Sequence, residues 1–280
     1  MSEVRIDALL PQEMATRAEY IGVRKAETPA LTVFALAVLA GAFIAMGAIF
    51  STTVLAGTSG TLPYGLARLL AGLVFSLGLI LVVVGGAELF TGNNLIVMAW
   101  ASGKVTGRAL LRNWAIVYAG NFVGAFGTAV LMVLSRQYTF GGGAVGETAL
   151  KIAAGKVQLG FVQALALGIL CNTLVCLAVW LTYGARSTTD KITAIIFPIS
   201  AFVASGFEHS IANMFFVPYA MLVMAFDPTF VAEKAVDMTG VTWSAFLIQN
   251  LVPVTIGNVI GGAVLVAAIY WAIFLRRKIG

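Results

Sequence analysis

The sequence predicts an all-α membrane protein: six transmembrane helices in an inverted 3+3 repeat, with the second and fifth helices interrupted. Three observations lead there. The 280 residues are 60% hydrophobic and only 10% charged, with a mean hydropathy of +0.97, whereas a soluble domain carries roughly 25% charged residues. Apolar runs recur at lengths that reach the roughly 20 residues needed to cross about 30 Å of hydrocarbon. Polar and glycine residues inside the later runs repeat, in the same order, those inside the earlier ones.

The runs fall near residues 31–55, 66–100, 111–134, 159–183, 192–224 and 246–275. None alternates apolar and polar residues as a lipid-facing strand does, which argues against a barrel. Residues 1–28 hold Arg5, Arg17, Arg24 and Lys25 among acids, with no apolar core of a signal peptide. Ile6, Leu9, Leu10, Met14 and Ile21 recur there at roughly helical spacing. This predicts either a cytoplasmic amphipathic segment lying on the membrane or under the bundle, or a solvated tail with one amphipathic turn. Residues 29–280 form the transmembrane domain, with copies at about 31–135 and 158–275. Arg68, Arg136, Lys151, Lys156 and Lys234 fall in the loops of one side, and the rest of the 17 basic residues on the other. That bias places both termini in the cytoplasm. The net charge of +5 therefore orients the chain in a lipid bilayer and implies no nucleic-acid partner. Cys171 and Cys176 sit on different faces of one predicted helix, so neither a disulfide framework nor a metal or cofactor site is expected.

The repeat is carried by three patterns. Gly86, Glu88 and Asn93 match Gly206, Glu208 and Asn213, and Asn113, Gly120, Asn121 and Gly124 match Asn250, Gly257, Asn258 and Gly261. A weaker pattern aligns Phe34, Ala37 and Gly41 with Phe161, Ala164 and Gly168. Each copy holds three spans, so the second enters the membrane from the opposite side, an arrangement that places a binding or permeation site between the copies. Glycine, asparagine and glutamate at Gly86–Asn94 and Gly206–Ser210 are poor helix formers in lipid, so both helices are expected to break there. For Gly120, Gly124, Gly257, Gly261 and Gly262 close helix packing is the better reading.

Ionisable groups at membrane depth are expensive and mark function or a structural device. Glu88 and Glu208 are read as structural acids at the helix breaks, with Lys156, broken backbone or Asn213 as partners for Glu208. His209, the single histidine, is the side chain able to give or take a proton near neutral pH. Phe75, Leu79, Leu89, Phe90 and Phe202 surround it as packing or as apolar constrictions. An intramembrane enzyme is not expected, because no nucleophile or metal set faces that base.

The stretches "GAELFTGNNLIV", "LGILCNTLVCLAVWL", "ASGFEHSIANMFFVP" and "NLVPVTIGNVIGG", with "LLPQEM" and "SGTLPYGLARLLAG", resemble the formate/nitrite transporter family over essentially the whole chain, closest to its formate-channel branch. The resemblance implies an aquaporin-like homopentamer in the bacterial inner membrane, one pore per protomer, passing formate and similar small monovalent weak-acid anions in either direction with a proton-linked pH dependence. It implies His209 and Thr91 as the central polar pair, Asn172 and Asn258 along the path, and Lys156 as the charge drawing anions into a vestibule. Phe75, Leu79, Leu89, Phe90 and Phe202 then form the constrictions, with Val175 facing the pore. Nitrite, hydrosulfide, acetate and lactate share the chemistry and remain alternative permeants. A water- or glycerol-type channel would carry paired Asn-Pro-Ala boxes, which the sequence lacks.

Overall fold

A computed structural model describes residues 9–276, and all regular structure among them is helical. Arg5, Ile6, Arg277 and Lys278, with the acids Glu3 and Asp7, lie outside the described residues. Proline starts several elements, because it fixes helical φ where no backbone donor is needed. Pro11 opens α1 (Pro11–Glu27), while Pro29 and Pro63 precede α2 (Ala30–Leu55) and α3 (Tyr64–Gly85). α4 (Val97–Ala101) follows a short 3₁₀ segment, Gly92–Ile96, and α5 (Gly107–Leu134) starts after Thr106, whose hydroxyl accepts from Ala109 N. α6 (Ala144–Val157) precedes α7 (Phe161–Tyr183), and α8 (Thr188–Ala204) opens on a Ser187/Asp190 capping box. α9 (Ser210–Phe226) bends by 108° into α10 (Pro228–Lys234). α11 (Ala245–Phe274) is wound as a π-helix over Ala245–Leu251 and Ile260–Ala268.

Among the described residues α2, α3, α5, α7 and α11 are each long and apolar enough to cross a bilayer alone. α8 and α9, 17 residues each, form the broken fifth segment. Both predicted breaks are present. α3 stops at Gly86 (φ 80°) and α8 at Gly206 (φ 73°), left-handed positions that glycine adopts without steric cost. Ala87 N donates to Val82 O at 2.9 Å and Phe207 N to Phe202 O at 3.0 Å, so the two helices end in the same backbone bond.

Two features differ from expectation. α6 lies outside every predicted span, because its 14 residues are shorter than the bilayer is thick. The weaker repeat pattern is also out of register by one helical turn. A Cβ on Gly124 would stand 1.9 Å from Val38 O, and one on Gly261 2.2 Å from Ile169 O. Val38 therefore corresponds to Ile169 and Ala37 to Gly168, so the glycine at 41 corresponds to Asn172 and not to Gly168. Small residues recur every three or four positions along both helices, which is why a one-turn slip still aligns them. The tight glycine contacts bear out the packing role read from the sequence.

Candidate functional site

Each break is held by one asparagine. Asn121 Nδ2 donates to Ala37 O (2.8 Å) and Glu88 O (2.9 Å), and its Oδ1 accepts from Phe90 N at 2.9 Å. Asn258 Nδ2 donates to Gly168 O and Glu208 O, both at 2.9 Å, and its Oδ1 accepts from Ser210 N at 2.9 Å. Both side chains are fully buried. In hydrocarbon no water can satisfy the backbone groups that a helix break frees, so a side chain must.

Beside each brace lies a four-residue polar cluster. Lys25 Nζ reaches Glu88 Oε1 at 2.7 Å, Asn93 Nδ2 donates to Glu88 Oε2 (2.6 Å) and Asn113 Oδ1 (2.9 Å), and Asn113 Nδ2 returns to Lys25 O at 3.1 Å. The other copy repeats this bond for bond. Lys156 Nζ reaches Glu208 Oε1 at 2.8 Å, Asn213 Nδ2 donates to Glu208 Oε2 (2.7 Å) and Asn250 Oδ1 (2.8 Å), and Asn250 Nδ2 returns to Lys156 O at 2.9 Å. α1 is thus the counterpart of α6, and each unit of the repeat begins one short helix earlier than the sequence suggested. The match has two exceptions, one being that Asn250 Nδ2 also donates to Glu208 Oε2 at 3.4 Å. The other is that Lys25 Nζ also donates to Asn93 Oδ1 at 3.0 Å, whereas Asn213 Oδ1 accepts nothing among the described residues.

A cavity opens at each cluster. One, of about 280 Å³, is lined by Lys25, Leu79, Glu88, Leu89 and Asn93. The other, of about 250 Å³, is lined by Arg68, Phe75, Lys156, Phe202, Glu208 and His209. Three helices long and apolar enough to cross a bilayer, α2, α3 and α5, separate Lys25 from Lys156 along the chain. Between the two cavities is an apolar neck of buried side chains. The Phe75 and Phe202 rings meet edge to face at 5.6 Å between centroids, and Phe202 stacks on the His209 imidazole at 5.9 Å. His209 Nε2 lies 2.9 Å from Thr91 Oγ1, both side chains being buried. Ala212 N donates to His209 Nδ1 at 3.1 Å, so the proton of the neutral ring sits on Nε2 and points at Thr91.

This geometry of paired clusters, two cavities and a polar pair in an apolar neck has relatives. A family model described as Formate/nitrite transporter matches residues 12–272. The chain belongs to the formate/nitrite transporter family. It is 48% identical over 276 residues to the "Formate channel FocA" of Escherichia coli (strain K12), covering 97% of this chain and 96% of that protein. It is 38% identical to the "Probable formate transporter" of Methanothermobacter thermautotrophicus, covering 95% of this chain and 97% of that one. Among solved structures it is similar to a "Pentameric formate channel with formate bound" at 46% identity, with a TM-score of 0.83 over 88% of this chain and 98% of the other.

Within this member of the family, Phe75, Leu79, Leu89, Phe202, Thr91 and His209 line or separate the two cavities. Phe90 does not. Its ring packs edge-on against Tyr118 (4.9 Å) and Trp114 (5.9 Å), behind the break. Asn258 is taken up by the brace. Asn172 donates to Asn258 O at 2.6 Å and to Thr91 O and Asn94 Oδ1 at 3.3 Å, holding the backbone of Thr91. Val175 is buried in the core of α7. Sequence reasoning missed Lys25. The available signal was its position: Lys25 precedes the N-cap Pro29 of α2 by the same interval as Lys156 precedes the N-cap Gly160 of α7.

Proposed function

We propose that this protein is a passive, bidirectional channel for formate and similar small monovalent weak-acid anions, proton-linked at His209. The protein is read as a homopentamer with one pore per protomer, set in the bacterial inner membrane with both termini in the cytoplasm. The 48% identity to a formate channel over nearly the full length supports formate as the permeant. The likeness to a pentameric formate channel at 46% identity supports the assembly. The basic residues concentrated on one side support the orientation, with the Lys156 cavity facing outward.

The observation that carries the mechanism is the 2.9 Å contact of His209 Nε2 with Thr91 Oγ1 beside the Phe75/Phe202 neck. A carboxylate entering that neck must shed its water, which costs several kcal/mol or more for a bare charge. Neutralisation removes most of the cost. The proton on Nε2 moves to the Thr91 hydroxyl as that hydroxyl gives its own proton to a carboxylate oxygen, and Nε2 then recovers a proton from water in the cavity that His209 lines. The imidazole is restored, and the net change is one anion and one solution proton becoming one neutral acid. Nδ1 stays engaged with Ala212 N throughout, so exchange runs through Nε2 alone.

The test is uptake of labelled formate into proteoliposomes in competition with nitrite, hydrosulfide, acetate and lactate. Formate uptake above that of empty liposomes, with formate the strongest competitor, is expected. Uptake no faster than through lipid alone would overturn the reading.

A further inference from the structure

The cavity beside His209 holds three cations among its described lining residues: Arg68, Lys151 and Lys156. Two are spoken for. Lys156 is salt-bridged to the buried Glu208 at 2.8 Å, and Lys151 to Glu147 at 2.6 Å. Each pair is neutral seen from the cavity. Arg68 has no carboxylate within ion-pair distance among the described residues. Its guanidinium donates instead to Val203 O and, at 3.4 Å, to Ala204 O, the last carbonyls of α8. Those carbonyls carry the negative end of a helix dipole, about half a charge. Across the turn at residues 205–209, the N-terminus of α9 presents about half a charge of opposite sign, so the two helix ends offset one another. Arg68 is left as the net charge.

We propose that Arg68, rather than Lys156, is the residue that draws small anions into this cavity. The proposal rests on the anion-channel reading above. The geometry suits the task, because a guanidinium bound to two neutral carbonyls is held in place while keeping its full charge. It is also anchored on the two residues that follow Phe202, so the charge sits at the rim of the neck. The corresponding position in the other copy, aligned on Gly86 and Gly206, is Thr188, so the Lys25 cavity has no such cation by repetition. Lys156 then serves as the counter-charge that allows Glu208 to be buried at the break.

The experiment measures formate uptake by full-length protein in liposomes, against formate concentration and against ionic strength from about 0.02 to 0.3 M, where the screening length falls from roughly 20 Å to 6 Å. Arg68→Met should raise the half-saturating formate concentration about three- to tenfold at low salt and flatten the salt dependence, while Arg68→Lys keeps the wild-type slope. The double variant Lys156→Met/Glu208→Gln should keep that slope although its maximal flux falls. If Arg68→Met shows the wild-type slope, or the double variant alone loses it, the proposal is overturned. Should Arg68→Met fail to assemble, the slope of the double variant decides by itself. Absence of uptake by the wild-type protein is a different result, and counts against the channel reading instead.

Discussion

Replacing Asn258 by alanine removes one side chain that holds three backbone groups: Gly168 O, Glu208 O and Ser210 N, each at 2.9 Å. Gly168 O lies within α7 and keeps its helical partner. Glu208 O and Ser210 N lie at the break, where no ladder bond replaces the loss, and a buried orphaned group costs about 1–3 kcal/mol. The expected destabilisation is therefore about 2–6 kcal/mol. Asn121→Ala orphans Glu88 O and Phe90 N in the same way and should cost the same within about 1 kcal/mol. Asn258→Asp retains the acceptor for Ser210 N but sets a second acceptor oxygen against Gly168 O and Glu208 O in a buried site, so it should cost at least as much as alanine. Denaturant unfolding of the detergent-solubilised protein, followed by helix content, gives the three values. An alanine variant at either position costing less than about 1 kcal/mol would refute the idea that the breaks depend on these braces.

Lys25→Met leaves Glu88 buried without its cation and should destabilise by about 3–5 kcal/mol, while the double variant Lys25→Met/Glu88→Gln should recover most of the loss in the same unfolding assay. Gly124→Leu places side-chain atoms where a Cβ already stands 1.9 Å from Val38 O, and should prevent recovery of assembled protein, as judged by gel filtration. Asp227, between α9 and α10, is held below the ordinary carboxylate range by Phe230 N and then by the Tyr138 hydroxyl. Its folded-state value is depressed, so its stabilisation is present above the ordinary value near 3.8 and lost as pH falls through the lower folded value. Asp227→Asn should lower thermal stability at pH 7, with the difference from wild type closing below about pH 4.

Much of this was legible because lipid makes polar residues conspicuous. Glu88, Asn93, Glu208 and Asn213 stand out in apolar runs, and their repetition marks both breaks. Hydropathy gave the long spans for the same reason. Lys25 was hidden by the opposite circumstance. Among Arg17, Arg24 and Glu27 a lysine is unremarkable, and only its bond to Glu88 reveals it. α6 escaped notice because its 14 residues mix Glu147, Lys151 and Lys156 with alanine and glycine, the composition of an ordinary loop-side helix. The role of Asn258 could not be read from its type. An asparagine facing a pore and one facing a broken backbone look alike in sequence, and Phe90 poses the same ambiguity between constriction and packing. The π-helical stretches of α11 have no marker in the residues that form them.

In the proposed mechanism formate crosses the neck with a proton handled at His209. Its most direct test is the simultaneous measurement of formate uptake and internal pH in liposomes containing wild-type protein or His209→Phe. Wild-type uptake is expected to carry protons with formate and to vary with pH, and the phenylalanine variant to block this movement or make it strictly one-way. Unchanged formate uptake and efflux in the variant at every pH, with the same proton movement, would contradict the mechanism.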